Sequence, residues 1–324
     1  MGRSARFAAR RLGWAVPLVL AVVTVDFALV HLAPGDPVTY LVGDPTLVTA
    51  EQLDQVRQDL QLDQPLWRQF LAYLGALLRG DLGFSILNRR PVLALILERL
   101  PATLLLMAAS LVLSLLAGLL LGFVSALKAR SVTDYALGLL SLLGYSMPPF
   151  WFGLVLILVF ALSLEWFPTM GMTTLGRDLG FWPSVGDVLY HLALPAATLA
   201  TYYTAIYARV ARTSLLGVLG QPFLVTARAK GLGWLAVYLK HAARNALIPL
   251  VTFFGLQIGV LFTGSILTEI VFAWPGLGML TVNALLQRDY PLILGIFLMS
   301  SVCVVLGNLV ADLLYGVVDP RIRG

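Results

Sequence analysis

The sequence predicts an all-α polytopic membrane protein, from its composition, its long apolar runs and the placement of its basic residues. Of the 324 residues, 59% are hydrophobic and only 12% are charged, and the mean hydropathy is +0.87. Soluble domains carry roughly 25% charged residues. So many apolar side chains cannot all be buried in the protein's own core, and the rest must contact lipid.

Six apolar runs are long enough to cross a bilayer as helices. A cleaved signal peptide is the alternative for the first run, but that run is long and no small-residue cleavage site follows it, so we expect an uncleaved span. The six expected spans are 12–32, 102–127, 135–162, 189–208, 250–272 and 292–317.

The basic residues are concentrated in the segments on one side of the membrane. With six spans, fourteen of the 22 Lys and Arg residues but only two acidic residues, Asp134 and Asp319, fall on the side of the N terminus. The net charge is then +12 on that side and −5 on the other. Because basic loops stay in the cytoplasm, we expect both termini there. The sorting also argues against nucleic acid as the partner of the basic residues.

The spans divide the chain into segments. Residues 33–100 are too polar to span and form an expected extracytoplasmic subdomain, in which Thr49 with Gln52 and then Pro65 each predict a short helix. Asp26, inside the first span, is expected to face the bundle or the outer interface, because a lipid-facing carboxylate is costly. The other segments are a cytoplasmic N terminus (1–11), the first span (12–32), a core with the remaining spans (102–317) that includes a cytoplasmic loop (221–249), and a cytoplasmic tail (318–324).

The basic loop, residues 221–249, lies between two expected spans and contains no acidic residue. Its glycines predict a helix ending near Lys230, a turn, and a second helix from about Trp234 towards Ala246, and Pro249 is expected to end the cytoplasmic part and begin the next span. Ala227 and Ala229 in the first helix are small enough for another protein to approach closely. The loop is therefore interpreted as a docking element, with an ordinary basic cytoplasmic loop as the alternative.

Two other interruptions are candidates for a transport path. Prolines at 148 and 149 break the third span, which indicates either a pathway wall or a packing kink. Residues 269–278, at the end of the fifth span and just beyond it, contain a proline and two glycines, which indicates either a turn that gates a pore or a plain surface turn. The candidate pathway and gate residues are Ser146, Pro148, Glu269, Pro275, Gly276 and Gly278.

The sequence lacks the residue patterns that several kinds of binding site require. No Walker A pattern is present, so ATP is not expected to bind this chain. Cys303 is the only cysteine and the three histidines are scattered, so neither a metal site nor another cofactor is expected. Two other functions are weighed: an intramembrane serine hydrolase using Ser146 and His191, and a proton-coupled secondary transporter, for which Asp26 and Asp312 are sparse carboxylates.

The run Ala227-Arg228-Ala229-Lys230-Gly231, with Arg244-Asn245-Ala246 and Pro249 downstream, resembles the cytoplasmic EAA loop of bacterial ABC importer permeases. The form is that of the dipeptide, oligopeptide and nickel branch. The Glu that begins the general motif is absent: Val225 stands six residues before Gly231. Further stretches resemble the B-type permease of this branch: 34–37, 80–83 with Ser85, 146–152, 212–214, 269–278, and 312–315 with 319–321.

The resemblance implies a MetI-like type I importer fold in the bacterial cytoplasmic membrane, and a transport subunit rather than an enzyme. It implies three kinds of partner besides lipid: a second, C-type permease subunit, two ABC ATPase subunits that bind ATP and Mg, and an extracytoplasmic solute-binding protein. Peptides are the expected substrate, with nickel chelates or glutathione as alternatives. The residues expected to couple to the ATPase are Ala227, Arg228, Ala229, Lys230 and Gly231.

Overall fold

A computed structural model describes residues 13, 16–28, 64–85, 87–174, 176, 180–233, 236–258 and 266–318. The described chain is almost entirely helical. Its helices are α1 (Val16–Ala28), α2 (Leu66–Leu78), α3 (Val92–Leu127), α4 (Val132–Ser146), α5 (Pro149–Leu156), α6 (Phe181–Leu219), α7 (Pro222–Ala229), α8 (Arg244–Ile258), α9 (Ile266–Val271), α10 (Leu277–Gln287) and α11 (Tyr290–Val318). Two π-helical segments, Ile157–Ser163 and Val237–Ala243, follow α5 and precede α8, and strands β1 (Phe84–Ser85) and β2 (Arg90–Pro91) form an antiparallel pair.

Two helices in the described residues are long and apolar enough to cross a membrane: α3, and Tyr290–Leu309 within α11. The bent pair formed by α4 and α5 makes a third if it counts as one span. At 36 and 39 residues, α3 and α6 exceed the expected spans 102–127 and 189–208. About 20 residues cross the hydrocarbon core, so both helices are long enough to extend beyond it. Part of the fifth expected span, 259–265, lies outside the described residues.

Prolines break one helix and leave three others continuous. At Pro148–Pro149 the break is as predicted: α4 ends at Ser146, α5 begins at Pro149, and the two are bent by 103°. The second helix of the basic loop is expected to run towards Ala246 and the next span to begin at Pro249, but α8 runs from Arg244 through Pro249 to Ile258 without a break. Pro101 and Pro195 likewise lie inside α3 and α6. A single proline costs a helix one donor, which neighbouring groups in a membrane bundle can compensate.

Helices α3 and α6 approach one another very closely. A Cβ on Gly118 would lie 2.3 Å from Tyr207 Cβ, and one on Gly122 would lie 2.5 Å from the Ala208 carbonyl oxygen. Small residues at a helix crossing permit this backbone approach in membranes. Since real Cβ contacts are never this short, only glycine fits at these two positions. The pair therefore forms the rigid centre of the described bundle.

The N-terminal end of α3 packs against the last two helices. Val92 and Ile96 lie in one buried cluster with Leu277 of α10 and Leu292 of α11. Nearby, the Ser85 hydroxyl donates a hydrogen bond of 2.5 Å to Asp289 Oδ2 in the turn before α11. These contacts join the strand pair, α3, α10 and α11 at one end of the molecule.

Helix α2 begins directly after Pro65, as predicted, and contacts α1. The Phe27 ring of α1 lies 5.2 Å from that of Phe70 and 6.0 Å from that of Tyr73, between centroids. Asp26 is only 5% exposed, consistent with a carboxylate kept from lipid. The helix predicted around Thr49 lies outside the described residues.

Candidate functional site

Helix α7 carries the first part of the basic loop and is anchored to the bundle by two side chains. Only Gly220 and Gln221 separate it from α6. Leu224 and Ala227 are 1% and 8% exposed, so one face of α7 points inward. These two side chains pack into a buried cluster. Its other members are Ala126 at the end of α3, Leu215 near the end of α6, Val237 and Ala242 of the π-helical segment before α8, and Ala246 of α8.

The other end of α7 is an exposed corner. Ala229, Lys230 and Gly231 are exposed, while the side chain of Arg228 lies outside the described residues. The Lys230 N–H donates to the Thr226 carbonyl (3.1 Å), and Gly231 then turns the chain with φ +75°. A left-handed residue that ends a helix is most easily a glycine.

The residues expected to couple to the ATPase therefore differ in exposure: one is buried and three are exposed. Ala227 was expected to face another protein but is buried in the chain's own cluster. Its small size lets α7 pack closely on α3 and α6, whereas Ala229, Lys230 and Gly231 remain accessible. After the turn, the chain is helical again from Ala236 and continues into α8, close to the start predicted at Trp234.

Residues 269–278, called the outer turn after the side of the membrane on which the sequence predicts them, are built around a buried carboxylate. Glu269 is fully buried; its Oε1 accepts a hydrogen bond from the Thr103 hydroxyl (2.9 Å) and its Oε2 accepts one from the Met279 N–H (3.1 Å). The Thr103 oxygen in turn accepts from the Leu277 N–H (2.7 Å). The two side chains thus supply partners for free N–H groups at the start of α10, where negative charge is favoured.

Glycine is required for this arrangement. A Cβ on Gly276 would lie 2.4 Å from Glu269 Oε2, and one on Gly278 would lie 2.7 Å from the Ile266 Cα. Trp274, fully buried, donates its indole N–H to the Ala102 carbonyl (2.8 Å). The part of the outer turn around Trp274, Gly276 and Gly278 is therefore packed into the molecule against α3, whereas Ile270 is exposed and Val271, Ala273 and Pro275 are partly exposed. A plain surface turn, the alternative interpretation, does not describe it.

The proline kink, residues 146–149, is connected to the outer turn through α5. Ser146 and Pro148 themselves are exposed. A Cβ on Gly153, in the helix after the kink, would lie 3.0 Å from the Phe272 ring. The Phe272 carbonyl also accepts a hydrogen bond from the Gly171 N–H (2.8 Å). Helix α5 and the segment that follows it thus both contact the outer turn.

The structure does not assemble the serine hydrolase pair. His191 is buried, with Nδ1 2.8 Å from the Asp187 carbonyl oxygen of its own helix. Within the described ranges, no hydrogen bond links His191 to Ser146. Nor do three His, Cys, Asp or Glu side chains converge anywhere in the described part of the chain to form a metal-binding group.

Sequence reasoning missed an ion pair at the opposite end of the molecule from the outer turn. Arg212 of α6 donates from Nε and Nη2 to the two carboxylate oxygens of Asp134 in α4, each at 2.7 Å. Ser125 of α3 and the backbone N–H of Arg130 donate to the same carboxylate. One signal was present: Asp134 is an isolated acid on the strongly basic side of the sequence.

Both charged groups lie outside the expected spans, since Asp134 precedes 135–162 and Arg212 follows 189–208. The hydrogen bonds from Arg212 lower the pKa of the Asp134 carboxyl far below its usual range, and those from Ser125 and the Arg130 N–H add to the effect. The same contact raises the pKa of the Arg212 guanidinium. The pair is therefore fully charged at neutral pH.

Comparison with known families classifies the chain. Residues 118–324 match the family described as binding-protein-dependent transport system inner membrane component, and residues 4–107 match the N-terminal family of the same transport system membrane components. The chain belongs to the binding-protein-dependent transport permeases. The resemblance to ABC importer permeases is thereby confirmed, and the chain is a transport component of the bacterial inner membrane rather than a hydrolase.

Relatives of this permease match it over nearly its full length. It is 39% identical over 335 residues to the dipeptide transport system permease protein DppB of Escherichia coli strain K12, with 98% of each chain covered. It is 42% identical over 331 residues to the di/tripeptide transport system permease protein DppB of Pseudomonas aeruginosa, again covering 98% of each. Identity to the oligopeptide transport system permease protein AppB of Bacillus subtilis is 42% over 320 residues, covering 98% of this permease and 99% of the relative.

Proposed function

We propose that this permease forms one half of the membrane path of an ATP-driven importer that brings short peptides into the cytoplasm. The observation that carries the proposal is similarity over 98% of the chain, at 39–42% identity, to permeases named for dipeptides, di/tripeptides and oligopeptides. Nickel chelates and glutathione, the alternative substrates, are not named in these three relatives. In the complete importer the path also needs a second, C-type permease subunit and an extracytoplasmic binding protein that delivers the peptide.

The energy source in this proposal is a pair of partner ATPase subunits, which bind the ATP and Mg. Ala229, Lys230 and Gly231 offer an accessible corner for that contact, and Ala227 with Leu224 holds α7 on the bundle beneath it. A docked helix can transmit rigid-body motion between subunits. Six spans with both termini in the cytoplasm complete the proposed topology, which puts the corner on the ATPase side.

At the far end of the molecule, the outer turn is the proposed gate. Glu269, Pro275, Gly276 and Gly278 belong to a turn that is hydrogen-bonded to α3 at Thr103 and Ala102. Because α3 is also locked to α6 through Gly118 and Gly122, a displacement of α7 reaches the turn through the rigid pair. In this proposal Ser146 and Pro148, in the exposed proline kink, form part of the pathway wall.

The test is uptake by the reconstituted importer. Proteoliposomes containing both permeases and both ATPases would receive the binding protein and a radiolabelled dipeptide, with ATP enclosed on the ATPase side. We expect uptake that requires ATP and the binding protein and is reduced by unlabelled di- and tripeptides. Competition by glutathione or a nickel chelate, but not by peptides, would contradict the substrate assignment. Uptake by the permease alone, driven by a proton gradient, would contradict the ATP-driven mechanism.

A further inference from the structure

The Asp134–Arg212 ion pair joins three helices and a turn at one point. The carboxylate belongs to the first turn of α4, the guanidinium to α6, the Ser125 hydroxyl to α3 and the Arg130 N–H to the turn between α3 and α4. Asp134 is 5% exposed. Four donors from two helices and a turn therefore converge on the carboxylate of a third helix.

The surroundings of the pair are not close-packed. A cavity of about 470 Å³ lies beside it, between α4 and the α3/α6 pair, and Asp134, Arg212 and Ser125 form part of its wall. A second cavity of about 370 Å³ continues between the same helices towards Gly144 and Thr201. The contrast with the α3/α6 contact is large, since glycines there bring the backbones together without space. Space therefore lies beside the first half of α4, whereas further along α4 packs on α6, where a Cβ on Gly144 would lie 3.1 Å from Thr201 Cγ2.

Each residue of the ion pair lies on a helix that leads to a part of the proposed transport machinery. Arg212 lies on α6, which runs through Gly220 and Gln221 into α7. Asp134 lies on α4, which runs through the proline kink into α5, and α5 contacts Phe272 of the outer turn. A bidentate Arg–carboxylate contact fixes distance and orientation together, unlike a contact between single charges.

We propose that the Asp134–Arg212 pair makes α4 follow the displacement of α7, and so carries motion from the ATPase contact to the broken span. Both side chains are positioning residues. This inference rests on the proposed function, because it needs an ATPase that displaces α7. The pair bridges the cavity as a fixed-length connection, and the Ser125 and Arg130 donors keep the carboxylate oriented towards Arg212 as α6 moves.

Two variants test the link in the complete importer. Asp134→Asn keeps the shape but removes the charge and sets an amide against Arg212, and Arg212→Lys keeps the charge but not the two-pronged contact. The control is Thr213→Ala, on the same helix, because its exposed hydroxyl bonds only carbonyls of its own helix, those of Arg209 and Val210. We expect peptide taken up per ATP hydrolysed to fall about tenfold in both variants, a typical size for mutations that alter coupling between sites. Receptor-stimulated ATP hydrolysis should continue.

A distance measurement separates coupling from simple stability. Spin labels at Val225→Cys on α7 and Leu143→Cys on α4, in a Cys303→Ser background, use two exposed positions. We expect the distance between them to stay the same on ATP binding in the wild type and to change in both variants, because α4 no longer follows α7.

Three outcomes would overturn the proposal. The first is that both variants transport as much peptide per ATP hydrolysed as Thr213→Ala does. The second is that the label distance in both variants responds to ATP as it does in the wild type. The third is failure of both variants, but not of the control, to assemble with the ATPases, which would make the pair only a structural tie. If the wild type itself shows no ATP-dependent uptake, the proposed function fails instead, and the label measurement still reports on the link.

Discussion

The Thr103 hydroxyl serves two partners at once: it donates to Glu269 Oε1 and accepts from the Leu277 N–H. Thr103→Val keeps the shape of the side chain and leaves both partners buried with one hydrogen bond fewer. Loss of a partner for a buried polar group costs about 1–3 kcal/mol. We expect the free energy of unfolding of the purified permease to fall by about 2 kcal/mol, measured by denaturant titration in detergent.

Thr198→Val is the matched control for that substitution. Thr198 is equally buried in α6, but its hydroxyl donates only to the Leu194 carbonyl of its own helix, which keeps its backbone hydrogen bond. Valine at this position should change the free energy of unfolding by well under 1 kcal/mol. Equal losses for the two variants would show that the Thr103–Glu269 contact contributes no more than an ordinary helix hydroxyl.

Gly276 tests the space around the same carboxylate. In Gly276→Ala the new Cβ would lie 2.4 Å from Glu269 Oε2 and 2.5 Å from Thr103 Oγ1, so both side chains must move off their hydrogen bonds. Overpacking of this kind costs about 1–3 kcal/mol. We expect a lower thermal unfolding midpoint and reduced uptake by the assembled importer.

The control for that change is Gly138→Ala, in the interior of α4. No atom lies within 4 Å of a Cβ at Gly138, and alanine is favoured over glycine in a helix by about 1 kcal/mol. The unfolding midpoint of this variant should therefore stay the same or rise. A Gly276→Ala protein as stable as Gly138→Ala would contradict the close packing of the outer turn.

At the scale of single elements, the direction in which the chain leaves α7 depends on Gly231. Its φ of +75° is costly for a residue with a side chain, although no atom would contact a Cβ there. A β-branched residue resists this conformation by roughly 1–2 kcal/mol, while asparagine tolerates it. We expect Gly231→Val to redirect the corner and lower transport per ATP hydrolysed, and Gly231→Asn to retain most of it.

Gly233→Ala provides the comparison two residues further along the turn. Gly233 has no positive φ and has open space around it, so alanine should leave both ATP hydrolysis and uptake unchanged. If the Gly231→Val variant transports as much peptide per ATP hydrolysed as the Gly233→Ala variant, the conformation of this turn has no part in coupling.

The elements differ in how far the sequence predicted them, and prolines show why. The break at Pro148–Pro149 was predicted correctly because two adjacent prolines remove donors and also disfavour the helical conformation before them. Pro249 carries the same local signal, yet α8 continues through it. Whether a lone proline ends a helix depends on the packing of its neighbours, which the local sequence does not contain.

At the scale of the whole molecule, the fold class could be predicted because composition and charge sorting are global properties of the sequence. The site was predicted only as segments. Glu269, Gly276 and Gly278 were identified from their spacing, but their partner Thr103 lies 166 residues from Glu269. Arg212 and Asp134, 78 residues apart, were likewise joined only by the fold. The burial of Ala227 was missed for the same reason, since its neighbours come from α3 and α6.

The orientation of the whole molecule in the membrane yields the last prediction. Cys303 is the only cysteine, so a Cys303→Ser background allows single cysteines to report which side of the membrane they face. Lys230 at the corner after α7 and Val132, 85% exposed at the start of α4, should both be cytoplasmic, because the basic segments lie on that side. Leu78, 90% exposed at the end of α2, should face the outside.

In intact spheroplasts, a membrane-impermeant maleimide should therefore label Leu78→Cys but not Lys230→Cys or Val132→Cys. Permeabilised cells should show labelling at all three positions, which controls for reactivity. Inverted vesicles should reverse the first pattern, because they expose the cytoplasmic face. Labelling of Lys230→Cys from outside would place the corner beyond the reach of any cytoplasmic ATPase. The path of motion from α7 through α6, Arg212 and α4 to the outer turn would then have no motor at its start.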